Sequence, residues 1–314
     1  MIAALTGAGW QRSTEPDEAD YIIVNSCGFI EPAKQESIDT ALAFASAFPR
    51  ARIVMAGCLS ERYPTELASE MPELAGVVGN RAPGRIAEFL QELDSRTGRI
   101  FVPETPGPLP VRAALLSLPG SAYVKVAEGC DNRCSFCAIP LIRGGLRSRR
   151  VDEICTEVRT LLDQGAVEIN LVAQDLASFG RDTGEDLLAL LRALLRDPRA
   201  FWVRLLYVYP EHFPEDLLAL CRDDRRLLPY FDIPFQHASR NVLRRMGRSA
   251  LADQNVALIR RIRARLPDVF LRSTFLVGFY EETEEEFGKL LAFQDAAELD
   301  WLGVFTYSRE EGTP

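Results

Sequence analysis

Apolar residues along this chain come in short continuous runs separated by longer amphipathic stretches, the signature of buried parallel strands alternating with helices. Tyr21 to Ser26 is the first such run, and Glu31 to Ala47 follows with helical spacing. The unit repeats: Arg52 to Gly57 reads as a strand, Ser60 to Met71 as a helix around Pro64, Gly76 to Gly79 as a strand, and Pro83 to about Leu93 as a helix. Ahead of them, Ile2, Ala3, Leu5 and Ala8 share a helical face with no cap before it. Met1 to about Trp10 therefore reads as the end of a helix, and the chain is expected to continue upstream.

Periodicity then lapses. From about residue 97 to 115, and on to Ser121, the chain carries Pro103, Pro106, Pro108, Pro110 and Pro119, which fits a semi-rigid linker between domain 1–96 and domain 116–314. Beyond it six further strands are expected, at Ala122 to Ala127, Val167 to Val172, Trp202 to Val208, Tyr230 to Phe235, Leu271 to Gly278 and Leu302 to Ser308. Helices near Val151, Gly184, Pro214, Leu251 and Thr283 lie between them. The fold class is α/β: a parallel α/β sheet domain followed by an open six-unit (β/α) partial barrel. Because the chain stops right after the sixth strand, a closing element past Pro314 is expected as well.

In parallel sheets with right-handed crossovers the carboxyl ends of the strands share one edge, where ligands bind. Cys27 and Cys58 each follow a strand of the first domain. One such cysteine alone reads as a small buried hydrophobe; two at equivalent positions point to a shared ligand. In the second domain Gln174, Asp175, Tyr209, Glu211, His212, Gln236, His237 and Gly278 follow strands, polar or glycine where a packed end would be apolar. His212 and His237 are open to a structural reading or a cavity-facing one. Cys155 and Cys221 sit on apolar helical faces and read as core thiols.

Length and charge set outer bounds. At 314 residues there is room for two domains, and a net charge of −9 disfavours broad affinity for nucleic acid or anionic membrane while suiting a basic partner. Arg143, Arg147, Arg149 and Arg150 make a local basic patch, open to a ligand-facing or a solvated reading. No apolar run reaches a membrane span and no signal core opens the chain, so a cytosolic location is expected. Seven cysteines without an export signal argue for metal or redox use rather than disulfides.

Three of those cysteines, Cys130, Cys134 and Cys137, fall within eight residues directly after the strand at Ala122. Thiols at CxxxCxxC spacing on one loop turn toward a common centre, and a cubane iron–sulfur cluster held by three would leave one iron without a protein ligand. A zinc site is the competing reading, and it lacks a fourth local ligand.

This loop, with Phe136 before its third cysteine and six β/α units behind it, resembles the radical S-adenosylmethionine superfamily. The resemblance implies a 4Fe-4S cluster on Cys130, Cys134 and Cys137, S-adenosylmethionine on its open iron, Phe136 near the adenine, and Gln174, Asp175 and Gly278 as further cofactor-binding residues. Val24 to Ile30, Lys34 to Ile38, Gly57-Cys58-Leu59, Ala138-Ile139-Pro140, Ile142-Arg143-Gly144 and Pro234 to Ser239 are similar to signatures of the methylthiotransferases. Val172-Ala173-Gln174-Asp175 resembles the branch that modifies an aspartate of a small-subunit ribosomal protein. The transfer-RNA branch, which acts on adenosine, and a non-catalytic iron–sulfur protein are the alternatives.

By that resemblance Cys27 and Cys58 belong to an auxiliary 4Fe-4S cluster that carries the methylthio sulfur, and a radical abstracts hydrogen from the aspartate β-carbon. An electron donor such as flavodoxin or ferredoxin is an implied partner. Three departures accompany it. The family's first auxiliary cysteine has no counterpart after Met1, its small C-terminal β-barrel does not follow Pro314, and its Gly-Phe-Pro-Gly-Glu-Thr turn is here Gly278-Phe279-Tyr280-Glu281-Glu282-Thr283. The run Glu281 to Glu286 reads as the acidic start of a helix.

Overall fold

A computed structural model describes residues 1–95, 99–107, 120–248 and 252–314. They form two compact units. The described residues up to 107, together with 137–143 and 308–313, make the first; 120–136 and 144–307 make the second.

The first unit contains α1 (Ile2–Gly7), β1 (Tyr21–Ser26), α2 (Glu31–Ala47), β2 (Arg52–Gly57), α3 (Cys58–Arg62), α4 (Pro64–Glu70), β3 (Leu74–Val78), α5 (Ile86–Ser95), β4 (Ile100–Phe101) and α6 (Ile139–Arg143). Its sheet is parallel in the order β1-β2-β3-β4. Ile53 and Met55 pack with Ala41 and Leu67 on one side, while Val54, Ala56 and Val78 pack with Phe89, Leu90 and Leu93 on the other. Both faces are covered, which is why β2 is apolar without alternation. Residues 308–313 join this unit through Glu310, whose buried carboxylate meets Lys34 Nζ at 2.8 Å and Arg62 Nη1 at 3.2 Å and accepts the Glu31 backbone N–H.

The second unit contains β5 (Ser121–Lys125), β6 (Ala127–Glu128), β7 (Arg147–Ser148), α7 (Val151–Asp163), β8 (Glu168–Val172), α8 (Leu187–Leu194), β9 (Trp202–Leu205), α9 (Asp216–Asp223), β10 (Leu227–Asp232), α10 (Arg240–Arg245), α11 (Ala252–Arg265), β11 (Phe270–Val277), α12 (Glu284–Ala297) and β12 (Trp301–Thr306). Six strands run parallel in the order β5-β8-β9-β10-β11-β12, so sequence neighbours are sheet neighbours and the sheet is open. Ile169, Leu171, Val203, Leu205, Phe231 and Leu271 face the helices in one core. Each contributes about 1.5–3 kcal/mol by leaving water.

Several boundaries depart from the sequence reading. Pro64 does not sit inside a helix: the chain breaks at Tyr63 and Pro64 opens α4, where its missing N–H costs nothing. The expected linker begins with a strand, β4, paired with Val77 and Val78; Pro108, Pro110, Pro119 and the start of the second domain at 116 lie outside the described residues, as does Leu251. Ala122 to Ala127 is not one strand. It ends at Lys125, and Ala127–Glu128 turns aside to pair antiparallel with Arg147–Ser148. Nor do the units follow a single cut in the chain, because 137–143 and 308–313 belong with the first sheet.

Candidate functional site

The β6–β7 pair clamps the neck of the cysteine loop, so residues 129–146 leave and re-enter the fold at one point. Gly129 makes the clamp possible: its φ is +70°, and a Cβ there would lie 2.0 Å from the Gly145 carbonyl oxygen. Cys130 N–H donates to the Gly144 carbonyl at 3.1 Å, and Asp131 Oδ1 accepts the Leu146 N–H at 2.9 Å. The middle of the loop is held by the end of α10. Ser135 N–H donates to the Met246 carbonyl and Ser135 Oγ to the Arg245 carbonyl at 2.7 Å.

Cys134 is buried, and its Sγ lies 3.6 Å from Tyr209 Oη. Arg248 stacks over the Tyr209 ring at 3.7 Å and donates to the Pro234 carbonyl at 2.9 Å. Desolvation raises the Cys130 thiol above its ordinary value, against the opposing hydrogen bond from Asn132. Cys137 is half-buried. Phe136 packs with Val242, Met246, Leu276, Phe279 and Tyr307, an apolar wall beside the loop.

The strand-end residues divide. Gln174 is exposed beyond β8. Asp175 is 2% exposed and fully engaged: Oδ1 accepts the Ala177 N–H, and Oδ2 accepts Ser178 Oγ–H and, at 3.0 Å, Asn132 Nδ2–H. It ties the cysteine loop to β8. Gly278 takes φ +71° with open space where a Cβ would be. His237 is wholly buried; Nδ1 accepts the Ser239 N–H, so Nε2 carries the proton toward Glu282 Oε1 at 3.1 Å. That is a structural tie between strand ends, whereas His212 is exposed.

In the first unit Ser26 pairs in register with Gly57, which sets Cys27 and Cys58 side by side along the chain ends of β1 and β2. A Cβ on Gly28 would strike the Cys58 and Leu59 backbone at 2.6–2.7 Å, so glycine is needed for the two turns to meet. Cys27 is exposed, with its N–H on Ser37 Oγ; Cys58 Sγ accepts from Asn80 Nδ2 at 3.3 Å and Arg143 Nη2 at 3.7 Å.

Three of the four arginines have partners of their own. Arg149 is buried against Glu157 at 2.6 Å, Arg150 is exposed on Asp152, and Arg143 reaches Cys58. Cys155 is half-buried and Cys221 buried, with desolvation pushing the Cys221 thiol up to about 12. The Tyr209, Arg248 and Asn80 contacts were not legible in the sequence, since each joins residues 14 to 75 positions apart.

None of the seven cysteines is in a disulfide. Among the described residues no three His, Cys, Asp or Glu side chains close on a single metal ion. The loop offers sulfur alone, spread over a clamped backbone with one thiol buried and two half-buried, and that donor set fits a cluster of several irons. Cys27 and Cys58 are likewise sulfur donors, with N–H groups aimed at the second.

Residues 124–293 match the Radical SAM superfamily, and residues 1–79 match the Uncharacterized protein family UPF0004. Among curated proteins the chain is similar over its whole length to proteins named ribosomal protein uS12 methylthiotransferase RimO. The relative from Treponema denticola is 40% identical with 73% of its length covered, that from Pelotomaculum thermopropionicum 44% with 72%, and that from Desulforudis audaxviator 45% with 71%. Among solved structures, the radical S-adenosylmethionine methyltransferase TsrM from Kitasatospora setae has a TM-score of 0.68 at 16% identity, covering 91% of this chain and 63% of that one. The cobalamin-dependent radical enzyme OxsB has a TM-score of 0.58 at 14% identity, covering 87% and 43%. These two likenesses concern the fold.

Proposed function

Since the chain belongs to the radical SAM superfamily and, within it, to the methylthiotransferases named for ribosomal protein uS12, we propose that it adds a methylthio group to the β-carbon of an aspartate in that protein. The full-length likeness of 40–45% to those relatives carries the reading. The clamped three-thiol loop at the carboxyl end of β5 supports it.

On this reading Cys130, Cys134 and Cys137 hold a 4Fe-4S cluster with one iron left for S-adenosylmethionine. Cys27 and Cys58 supply thiolates to a second cluster. When bound, these groups supply low-potential one-electron chemistry and the sulfur to be transferred. The chain's own residues do the rest. Gly129 lets the loop close, while Asn132 and Asp175 fix its height over the sheet. Tyr209 donates to the Cys134 sulfur, since a ligating thiolate only accepts. Phe136 offers an apolar surface to the adenine, Gln174 a free amide at the rim, and Gly278 an uncluttered backbone for close approach. Asn80 and Arg143 direct N–H groups at the Cys58 sulfur. An acidic chain also suits a basic ribosomal protein.

No helix among the described residues is long and apolar enough to cross a membrane; a cytoplasmic location and an electron donor of the flavodoxin or ferredoxin kind belong to the same proposal. The test is anaerobic reconstitution with iron and sulfide, then dithionite and S-adenosylmethionine, with uS12 and transfer RNA offered in parallel. A methylthio mass gain on uS12 is expected. Modified adenosine with unmodified uS12 would assign the chain to the transfer-RNA branch instead.

A further inference from the structure

The six-stranded sheet buries one face under its helices, and its opposite face carries charge. Register places that charge: Asn170 pairs with Arg204, Phe231 with Leu205, and Asp232 with Arg272. Glu168, Arg204, Tyr230, Asp232 and Arg272 thus share the face turned away from the helices, on four adjacent strands. None of them belongs to the hydrophobic core.

The contacts leave donors to spare. Arg204 bonds Glu168 through Nε at 2.7 Å, and its guanidinium lies 4.5 Å over the Tyr230 ring. Arg272 pairs with Asp232 through Nη1. On the next strand Gly303 presents no side chain, and even a Cβ there would come only to 3.9 Å from Arg272 Nη2. Both arginine side chains are 28% exposed. Asp232 is fully buried, and its Oδ1 has no hydrogen-bond partner among the described residues. A buried carboxylate with a bare oxygen is a cost that an apolar residue would avoid, so the pair is poorly explained as scaffolding. Beside it Tyr207 is held at φ +63°, a conformation that non-glycine residues adopt at a cost and that clusters at ligand sites.

We infer that Arg204 and Arg272 form a carboxylate-recognition site on the inner face of the sheet, which receives the side chain of the target aspartate. The inference rests on the methylthiotransferase reading and names the residues that select its substrate. Arg204 offers its Nη fork and Arg272 its second nitrogen, converging from strands on either side of β10, with Cα atoms about 12 Å apart from two strand spacings and a two-residue stagger. Burial raises the Asp232 carboxyl above its ordinary range against the lowering pull of Arg272, so protonation there would turn the bare Oδ1 into a further donor. An asparagine in place of the target has no charge to satisfy this array.

The experiment compares two uS12 peptides, one with the target aspartate and one with asparagine at that position, on reconstituted protein. Fluorescence anisotropy on the unaltered protein should show the aspartate peptide binding roughly 10- to 100-fold more tightly, the range for a charge-assisted hydrogen bond. Equal affinities would overturn the inference. Arg272→Gln and Arg204→Gln should each shrink the preference for aspartate in kcat/KM, with Arg272→Lys restoring part of it. If either glutamine variant weakens turnover while the unaltered preference persists, that arginine is structural and the inference fails, leaving the methylthiotransferase reading intact. Absence of methylthio transfer by unaltered protein to the aspartate peptide would overturn that reading and the inference with it.

Discussion

Tyr209 Oη lies 3.6 Å from the buried Cys134 sulfur, with Arg248 pressed against the far side of the phenol ring. A hydroxyl donating to a cluster thiolate stabilises the more negative, reduced state. Tyr209→Phe should therefore move the midpoint potential of the loop's cluster to a more negative value and slow 5′-deoxyadenosine formation, with iron content retained. An unchanged potential in an EPR-monitored redox titration would show that this contact does not survive ligation.

Gly129 and Gly144 both have positive φ, at +70° and +75°, yet only Gly129 faces an obstacle. Gly129→Ala must displace the Gly145 carbonyl and open the β6–β7 clamp, so the variant should bind little iron at this loop. Gly144→Ala meets open space and should retain its cluster at a strain of about 1–2 kcal/mol. Iron and sulfide analysis of variants lacking Cys27 and Cys58 separates the two.

Glu281 occupies a left-handed position, φ +59°, with its side chain exposed. It stands where the similar family turn has glycine. Glu281→Gly should stabilise the second unit by about 0.5–1 kcal/mol, the relief of the left-handed strain less the entropy glycine loses on folding. Urea unfolding measures it, and Glu281→Ala, which keeps the strain, should gain nothing. The Arg245 Nη2 bond to the residue-281 carbonyl is backbone-directed and survives both changes.

Desolvation holds His237 below its ordinary value of 6.5, with Glu282 and Glu286 pulling it back up. The unfolded chain takes up this proton first, so the stability His237 contributes is present above about pH 6.5 and lost as pH falls toward its folded value. Unfolding free energy should decline on acidification from pH 7 to 5, and His237→Gln should flatten that decline. A second acid loss, between about 4.5 and 2, belongs to Glu286: desolvation opposes its ionisation, but the Thr283 N–H, Ser239 and Arg245 together bring it to about 2.

The parts of the fold legible in the sequence are those set by local runs. Tyr21–Ser26, Glu31–Ala47 and Arg52–Gly57 take the bounds their apolar patterns indicate, because both sheet faces are buried and Ile30 and Phe48 stop the helix between them. The two-residue strands β4, β6 and β7 are too short to carry periodicity, and they exist through partners 19 or more residues away. α10 is absent from the sequence reading, although Ser239, the last residue of the Pro234 to Ser239 motif, caps it. In the site, the spacing of Cys130, Cys134 and Cys137 was visible, as were Cys27 and Cys58 at neighbouring strand ends. The arginines were misleading as a run: Arg149 is consumed by Glu157 in the second turn of α7, while Arg204 and Arg272 come to flank β10 only through strand register.

On the proposed function, a radical formed at a cofactor held by Cys130, Cys134 and Cys137 abstracts hydrogen from an aspartate β-carbon. Mass spectrometry of 5′-deoxyadenosine formed with uS12 peptide deuterated at the aspartate β-carbon tests it directly. Deuterium in the 5′-deoxyadenosine together with a methylthio gain on the peptide is expected; unlabelled 5′-deoxyadenosine with an unmodified peptide would contradict abstraction from that carbon.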